Sequence, residues 1–185
     1  MTQDEHLTVE VGDVQRKLPL FEVAPGVRIA VFNLLGDTEV VEAAARGLAD
    51  KLAATTFDAL VTAETKSVPL VYELARLLDK PWVVLRKAYK PYMGETLSHE
   101  TRSITTGAPQ TLYLDAKDRD LVRGRRVLLV DDVISTGSTV EAMRRLMEQA
   151  GAEVVGQAAV FTEGDAEQTG DALTLGHLPL FERDG

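Results

Sequence analysis

Thirteen consecutive residues constrain this chain more than any other stretch: Val127-Leu128-Leu129-Val130-Asp131-Asp132-Val133-Ile134-Ser135-Thr136-Gly137-Ser138-Thr139. Residues 127–130 form an unbroken apolar run with β-branched members, preceded by Arg125 and Arg126. A strand with no polar alternation has to be covered on both faces, which is the habit of a parallel sheet lying between helices. Asp131 and Asp132 are expected to end that strand with two adjacent carboxylates. Ser135, Thr136, Ser138 and Thr139 then set four hydroxyls around Gly137, directly ahead of an amphipathic helix. Small residues at such a corner leave backbone N–H groups free to converge on an anion at a helix N-terminus.

Paired acids beside an anion cradle suit a ligand that carries hydroxyls next to a phosphate. Carboxylates accept hydrogen bonds from vicinal hydroxyls, while amides and side-chain hydroxyls donate to phosphate oxygens. A ribose 5-phosphate has those two ends. A helix start capped by Ser or Thr would by itself account for one hydroxyl and one acid, not for the whole set. The four apolar residues, two acids and Thr-Gly loop together resemble the signature of the type I phosphoribosyltransferases, which bind phosphoribosyl pyrophosphate. The resemblance implies that Asp131 and Asp132 hold the ribose hydroxyls and orient Mg²⁺, directly or through water. It also implies that Ser135, Thr136, Gly137, Ser138 and Thr139 anchor the 5-phosphate, with Ile134 beside them among the substrate-binding residues.

The length of 185 residues suits one domain with a sizeable core. With no cysteine, disulfides and thiolate metal sites are excluded. Residues 1–10 are polar and acidic and lack the apolar centre of a signal peptide, and no run reaches membrane-spanning length. The expectation is a cytoplasmic protein without membrane partners. A net charge of −9 argues against sequence-independent nucleic-acid binding, which needs a basic surface. His6, His99 and His177 are scattered, and none has ligand spacing with an acid, so a zinc-type site is not expected.

Along the chain, residues 7–23 mix polar and apolar positions around Pro19 and read as short strands or an irregular arm. Pro25-Gly26 marks a turn, and residues 27–35 read as a strand. Asp37 or Thr38 caps a helix whose apolar stripe is Val41, Ala44, Leu48 and Leu52. Residues 57–63 read as the first buried strand, Glu64-Thr65-Lys66-Ser67 as a corner, and Val71, Leu74, Ala75 and Leu78 as the next helix stripe. Pro69 is tolerated there because it lies in the first turn. Residues 82–85 form another apolar strand, leading into Arg86, Lys87 and Lys90. From Tyr89 to Thr111 apolar periodicity is lost, which points to a long flap with no core of its own. Leu112 to Leu114 return as a strand. Val140, Met143, Met147 and Ala150 stripe the helix after the central strand, Gly151 ends it, and residues 154–161 form one more strand. Leu178-Pro179-Leu180-Phe181-Glu182 repeats Leu18-Pro19-Leu20-Phe21-Glu22, and five residues are too few for an internal repeat. Two edge segments in which Pro blocks further pairing are the simpler expectation.

These alternations argue an α/β fold: a parallel twisted sheet flanked by helices, with ligands outside the carboxyl ends of its strands. The expected plan is a single domain over 1–185, with cap segments at 1–36 and 163–185 and a flexible flap at 88–111. Three polar corners fall at strand ends: residues 64–67, 86–90 and 131–139.

Within the family, the chain most resembles the adenine phosphoribosyltransferase branch. Pro25-Gly26-Val27 before an apolar run, Arg86-Lys87-x-x-Lys90, and Ser103-Ile104 ahead of a returning strand line up in order. By that likeness Glu64, Thr65, Lys66 and Ser67 form the pyrophosphate loop, with Lys66 where the family usually has Arg; lysine supplies the charge without the bidentate fork. Lys87 and Lys90 would contact pyrophosphate oxygens, with Arg86 beside them, so the catalytic set is Asp131, Asp132, Lys87 and Lys90. The substrate contacts are Glu64, Thr65, Lys66, Arg86 and residues 134–139. Two departures concern the base: Thr105 and Thr106 stand where the branch has a flap acid and an aromatic, and apolar residues around Ala30 to Phe32 replace an Arg-Asp pair. Adenine is the first reading, and hypoxanthine, guanine or xanthine is the alternative. The implied reaction transfers a phosphoribosyl group to a purine nitrogen and releases pyrophosphate, with Mg²⁺, in a homodimer. A phosphoribosyl pyrophosphate-binding regulator without catalysis stays open. A dinucleotide oxidoreductase is disfavoured, because the corner at residues 64–67 lacks the glycines that such a site needs.

Overall fold

In the computed structural model, residues 5–102, 109–164 and 170–182 are described. Five strands form a parallel sheet in the order β10-β9-β8-β4-β5: β4 is Ala59–Ala63, β5 Trp82–Leu85, β8 Arg126–Ile134, β9 Glu153–Glu163 and β10 Leu173–Leu178. Helices α1 (Thr38–Lys51) and α2 (Val68–Leu78) cover one face, packing Leu48, Leu70 and Leu74 on Leu128, Val130 and Val160. Helix α4 (Ser138–Gln149) covers the other, with Met143 and Leu146 on Val61, Val127 and Leu129. α3 is a single turn, Arg119–Val122. The central run is thus buried on both faces by alternate residues, as its composition requires.

Local signals position the helices. The Asp37 carboxylate accepts from the Val40 N–H at 3.3 Å and caps α1. Pro69 sits in the first turn of α2, and Gly151, at φ 78°, follows the last turn of α4. The apolar stripes expected for α1, α2 and α4 face the core.

A second sheet comes from the two ends of the chain: β1 (His6–Val11), β2 (Val14–Ala24), β3 (Val27–Ala30) and β11 (Phe181–Glu182), in the order β1-β2-β3-β11. The pentapeptide copies flank β3, since Arg28 pairs with Glu22 on one side and Phe181 on the other. The first copy therefore lies in an inner strand rather than at an edge. Pro19 is accommodated there because its carbonyl still accepts from the Val31 N–H at 2.9 Å.

Three sequence expectations need correcting. The strand read over residues 27–35 stops at Ala30 and belongs to the antiparallel sheet. Beyond it the Asn33 side chain accepts from the Leu35 N–H at 3.1 Å and bends the chain, while Phe32 and Leu34 turn into the core. The apolar run there reported burial, not extension. The flap region is also not structureless: β6 (Leu97–Arg102) and β7 (Pro109–Leu114) pair antiparallel, behind a 3₁₀ turn at Pro91–Met93. β7 puts Leu112 and Leu114 into the core, but β6 is held to it by backbone bonds and is polar from Ser98 to Arg102, so hydrophobic alternation could not show β6. Residues 103–108, with Ser103, Ile104, Thr105 and Thr106, lie outside the described residues. Finally, β8 does not end at Asp131 but runs on through Asp132 to Ile134.

The cap loop and the parallel sheet meet at Phe32 and Phe161, whose rings pack edge to face at 4.8 Å. Gly176 of β10 lies under the Phe161 ring, where an added Cβ would sit 3.0 Å from Cε1 and 3.1 Å from Cδ1. Gly176→Ala should therefore lower stability by about 1–3 kcal/mol, the usual cost of overpacking, read as a fall in Tm by circular dichroism. An unchanged Tm would mean that the ring swings aside freely.

Candidate active site at the carboxyl ends of the sheet

The chain leaves β4 in one direction, to β5, and later returns on β4's other flank with β8, followed outward by β9 and β10. That reversal opens a crevice between β4 and β8 at their carboxyl ends, where open α/β sheets bind ligands. β4 pairs with β8 only over Ala59–Val61 against Val127–Leu129. β8 continues, held by β9 alone, with Asp131 opposite Ala159 and Ile134 opposite Thr162. Asp131 and Asp132 therefore sit on a strand whose crevice side has lost its neighbour.

Asp131 is drawn inward, its Oδ1 accepting from the Asp132 N–H at 2.9 Å. Burial, reinforced by the neighbouring Asp132 charge and opposed by Lys87, pushes its carboxyl up to about 8. The same residue helps line a cleft of about 30 Å³ with residues 133–140. Gly137, at φ 73°, precedes α4 without a side-chain cap, a conformation that a Cβ would strain. The Thr136 hydroxyl donates to Ser138 Oγ at 3.1 Å. The corner joins hydroxyls and first-turn amides at the positive end of a helix of 12 residues.

At the corner after β4, Ser67 is buried and structural: its Oγ donates to the Ala63 carbonyl at 3.2 Å and lies 2.7 Å from Thr62 Oγ1. Thr65 and Lys66 are exposed, and the Glu64–Thr65 peptide is cis. Glu64 reaches the end of β5, taking the Arg86 Nε–H at 2.6 Å and the Lys87 N–H at 2.6 Å. Hydrogen bonding to Glu64 holds Arg86 above its ordinary pKa. The Arg86 backbone in turn bridges Tyr113 of β7, at 2.9 and 2.8 Å, so the root of the hairpin is fixed to the same corner.

The predicted site residues thus fall at three adjoining strand ends, after β4, β5 and β8. Lys87 lies near enough for its charge to act on Asp131. Lys90 stands exposed at the head of the 3₁₀ turn and makes no ion pair among the described residues. Glu163 was not anticipated. It is half-buried at the end of β9, where burial raises its pKa and Lys66 opposes the rise. The polar pair Thr162 and Glu163 hid the last residues of β9, which sequence reading ended at Phe161. No group of three or more His, Asp or Glu side chains suited to a metal occurs among the described residues. No helix there is long and apolar enough to cross a membrane.

The family model of the phosphoribosyl transferase domain matches residues 34–174. The chain belongs to this family. Among phosphoribosyltransferase relatives, the hypoxanthine/guanine phosphoribosyltransferase of Methanococcus voltae is 35% identical over 120 residues, covering 65% of this chain and 60% of that protein. The purine biosynthesis transcriptional repressor PurR of Bacillus subtilis is 31% identical over 166 residues, 87% of this chain and 58% of that protein. The chain thus spans less than two thirds of the length of these relatives. Among solved structures, adenine phosphoribosyltransferase from Rhodothermus marinus is 28% identical with a TM-score of 0.63, covering 93% of each chain. The enzyme of the same name from Thermoanaerobacter pseudethanolicus is 25% identical with a TM-score of 0.71, covering 86% of this chain and 95% of that one.

The Asp131 environment has a measurable consequence. A folded-state carboxyl raised above its ordinary value of 3.8 favours folding below that value, and the contribution is lost as pH rises toward the folded pKa. Asp131→Asn removes the loss. In metal-free buffer the Tm of the variant minus that of the wild type should therefore grow between pH 5 and pH 8, by about 3 °C or more. A pH-independent difference would show that the carboxylate ionises freely.

Proposed function

We propose that this chain is a purine phosphoribosyltransferase, transferring the 5-phosphoribosyl group of phosphoribosyl pyrophosphate to a purine nitrogen with release of pyrophosphate. The observation that carries the reading is the pair Asp131 and Asp132 where β8 runs past β4, paired only with β9, one corner away from the hydroxyl-rich start of α4, in a chain of this family. Residues 134–139 would anchor the 5-phosphate. Asp131 and Asp132 would accept hydrogen bonds from the ribose hydroxyls. Lys66, Lys87 and Lys90 would face the pyrophosphate at the ends of β4 and β5, with Glu64, Thr65 and Arg86 shaping that corner.

The chemistry asks for stabilisation of positive charge at the anomeric carbon as pyrophosphate departs, a task of electrostatics and positioning. Entering nitrogen and leaving oxygen lie on opposite faces of that carbon. With pyrophosphate toward β5, the purine lies toward β9 and the cap. The hairpin of β6 and β7, in the flap at 88–111, would close over the sugar and keep water from it.

Two adjacent carboxylates suit Mg²⁺, a hard cation that keeps most of its waters and takes further oxygens from a phosphorylated substrate. Asp131 and Asp132 would hold it, directly or through water, and it would supply charge neutralisation for the leaving group. A raised carboxyl pKa at Asp131 fits a group whose ionisation awaits a cation.

Adenine is the first acceptor by likeness to the adenine phosphoribosyltransferase structures. Hypoxanthine, guanine or xanthine is the alternative, supported by the sequence relatives. A homodimer in the cytoplasm belongs to the same reading. A second reading, a phosphoribosyl pyrophosphate-binding regulator, rests on the PurR match over 87% of the chain.

With phosphoribosyl pyrophosphate and Mg²⁺, at least one of adenine, hypoxanthine, guanine and xanthine should release pyrophosphate. The double variant Asp131→Asn/Asp132→Asn should lose at least about a hundredfold of that rate while keeping its far-UV spectrum. Sugar-phosphate binding with no turnover on any base would reject the enzyme and favour the regulator.

A further inference from the structure

Glu64 stands in a corner meant for an anion, where a free carboxylate would repel the ligand. Its two oxygens are engaged by the protein itself: Oε2 accepts from Arg86 Nε and Oε1 from the Lys87 backbone N–H, both at 2.6 Å. The guanidinium neutralises the acid, so the pair presents little net charge to the site. The second bond acts on geometry, because it fixes the backbone at the residue where β5 has just ended. From that fixed point the exposed Lys87 side chain leaves the carboxyl end of β5, two strands from Asp131 of β8 across β4. The Arg86 backbone is meanwhile bonded in both directions to Tyr113 of β7. One carboxylate thus ties together the corner after β4, the corner after β5 and the root of the hairpin.

From this geometry we infer that Glu64 is a positioning residue for Lys87 rather than a contact to substrate. Its bond to the Lys87 N–H sets the ammonium at the pyrophosphate subsite, and Arg86 serves as the counter-charge that lets an acid stand there. The inference rests on the phosphoribosyltransferase reading of the site and adds to it the origin of the cation's placement.

The two views of Glu64 predict opposite signs. As a local negative charge it would weaken anion binding, so Glu64→Gln would bind more tightly. As a positioning residue its removal weakens binding. Calorimetry with phosphoribosyl pyrophosphate and Mg²⁺ should show Glu64→Ala weakened roughly tenfold or more, about 1.4 kcal/mol. Glu64→Gln, whose amide oxygen can still accept from the Lys87 N–H, should be weakened less. The effect should pass through Lys87, so Glu64→Ala should add little to Lys87→Ala in a double-mutant cycle. Tighter binding by Glu64→Gln, or a full additional loss in the Lys87→Ala background, overturns the inference. If Glu64→Ala does not fold, the Gln variant and its cycle with Lys87→Ala carry the test. Failure of the wild type to bind the sugar phosphate would instead count against the proposed function, which keeps the two outcomes apart.

Discussion

The site depends on a strand that outlasts its partner. β8 is nine residues long, yet β4 pairs with it over only three of them. Past Leu129 the crevice side of β8 has no ladder, and buried backbone polar groups are rarely left unpaired. Side chains and ligand are what can occupy that side. Had β4 been longer, the Asp131 backbone would be sealed into the sheet and no sugar could reach it. The order β9-β8-β4-β5 then decides which corner serves which part of a ligand lying across the strand ends.

An acidic chain proposed to bind anions needs an account of range. The net charge is −9, but beyond a Debye length of about 8 Å exposed charges are largely screened at physiological ionic strength. Acids spread over the surface therefore weigh less at the crevice than Lys66 and Lys87, whose charges reach the carboxylates of Glu163 and Asp131. Within the site the balance is local. Glu64 is matched by Arg86, which leaves Lys66, Lys87 and Lys90 as the net positive charge of the corners after β4 and β5. The acids at the end of β8 sit one strand farther along, where hydroxyls rather than phosphates would meet them.

How legible this was in the sequence depended on what each residue reports. Apolar runs report burial, so β4 and the first half of β8, covered on both faces, and the edge strand β5, covered on one, could be read directly, as could the stripes of α1 and α4. The same rule misled at Val31 to Leu34, where burial comes from a bend guided by Asn33 and not from a strand. It was silent for β6, whose residues Ser98, His99 and Glu100 are held by backbone pairing to β7. Polar residues on strands likewise hid the end of β8 at Asp131 and Asp132 and of β9 at Thr162 and Glu163. The composition of the corners was legible because anion and hydroxyl recognition needs particular groups. Their pairing was not, since Glu64 and Arg86 are 22 positions apart and meet only because β4 and β5 are adjacent.

Under the proposed function, the cap bears on where a purine could stack. Phe32 and Phe161 bury their rings against each other at 4.8 Å, with exposures of 4% and 3%. Each ring's surface is committed to the core, and Gly176 closes the far side of Phe161. Neither ring offers a free face on which a base could stack, so the aromatic residues of the cap loop serve the fold. Recognition of a base on the β9 side would then rest on hydrogen-bonding groups, and the nearest ones in sequence are Thr162 and Glu163. Thr162 lies 3.0 Å from His177 Nδ1 and so already has a partner, whereas the Glu163 carboxylate makes no hydrogen bond among the described residues and stays partly open to solvent. A carboxylate there accepts, and once protonated it also donates, so under the proposed function its charge state would set which edge of a purine it favours. Under the proposed function, choice of acceptor would turn on polarity at the end of β9 more than on stacking under the cap.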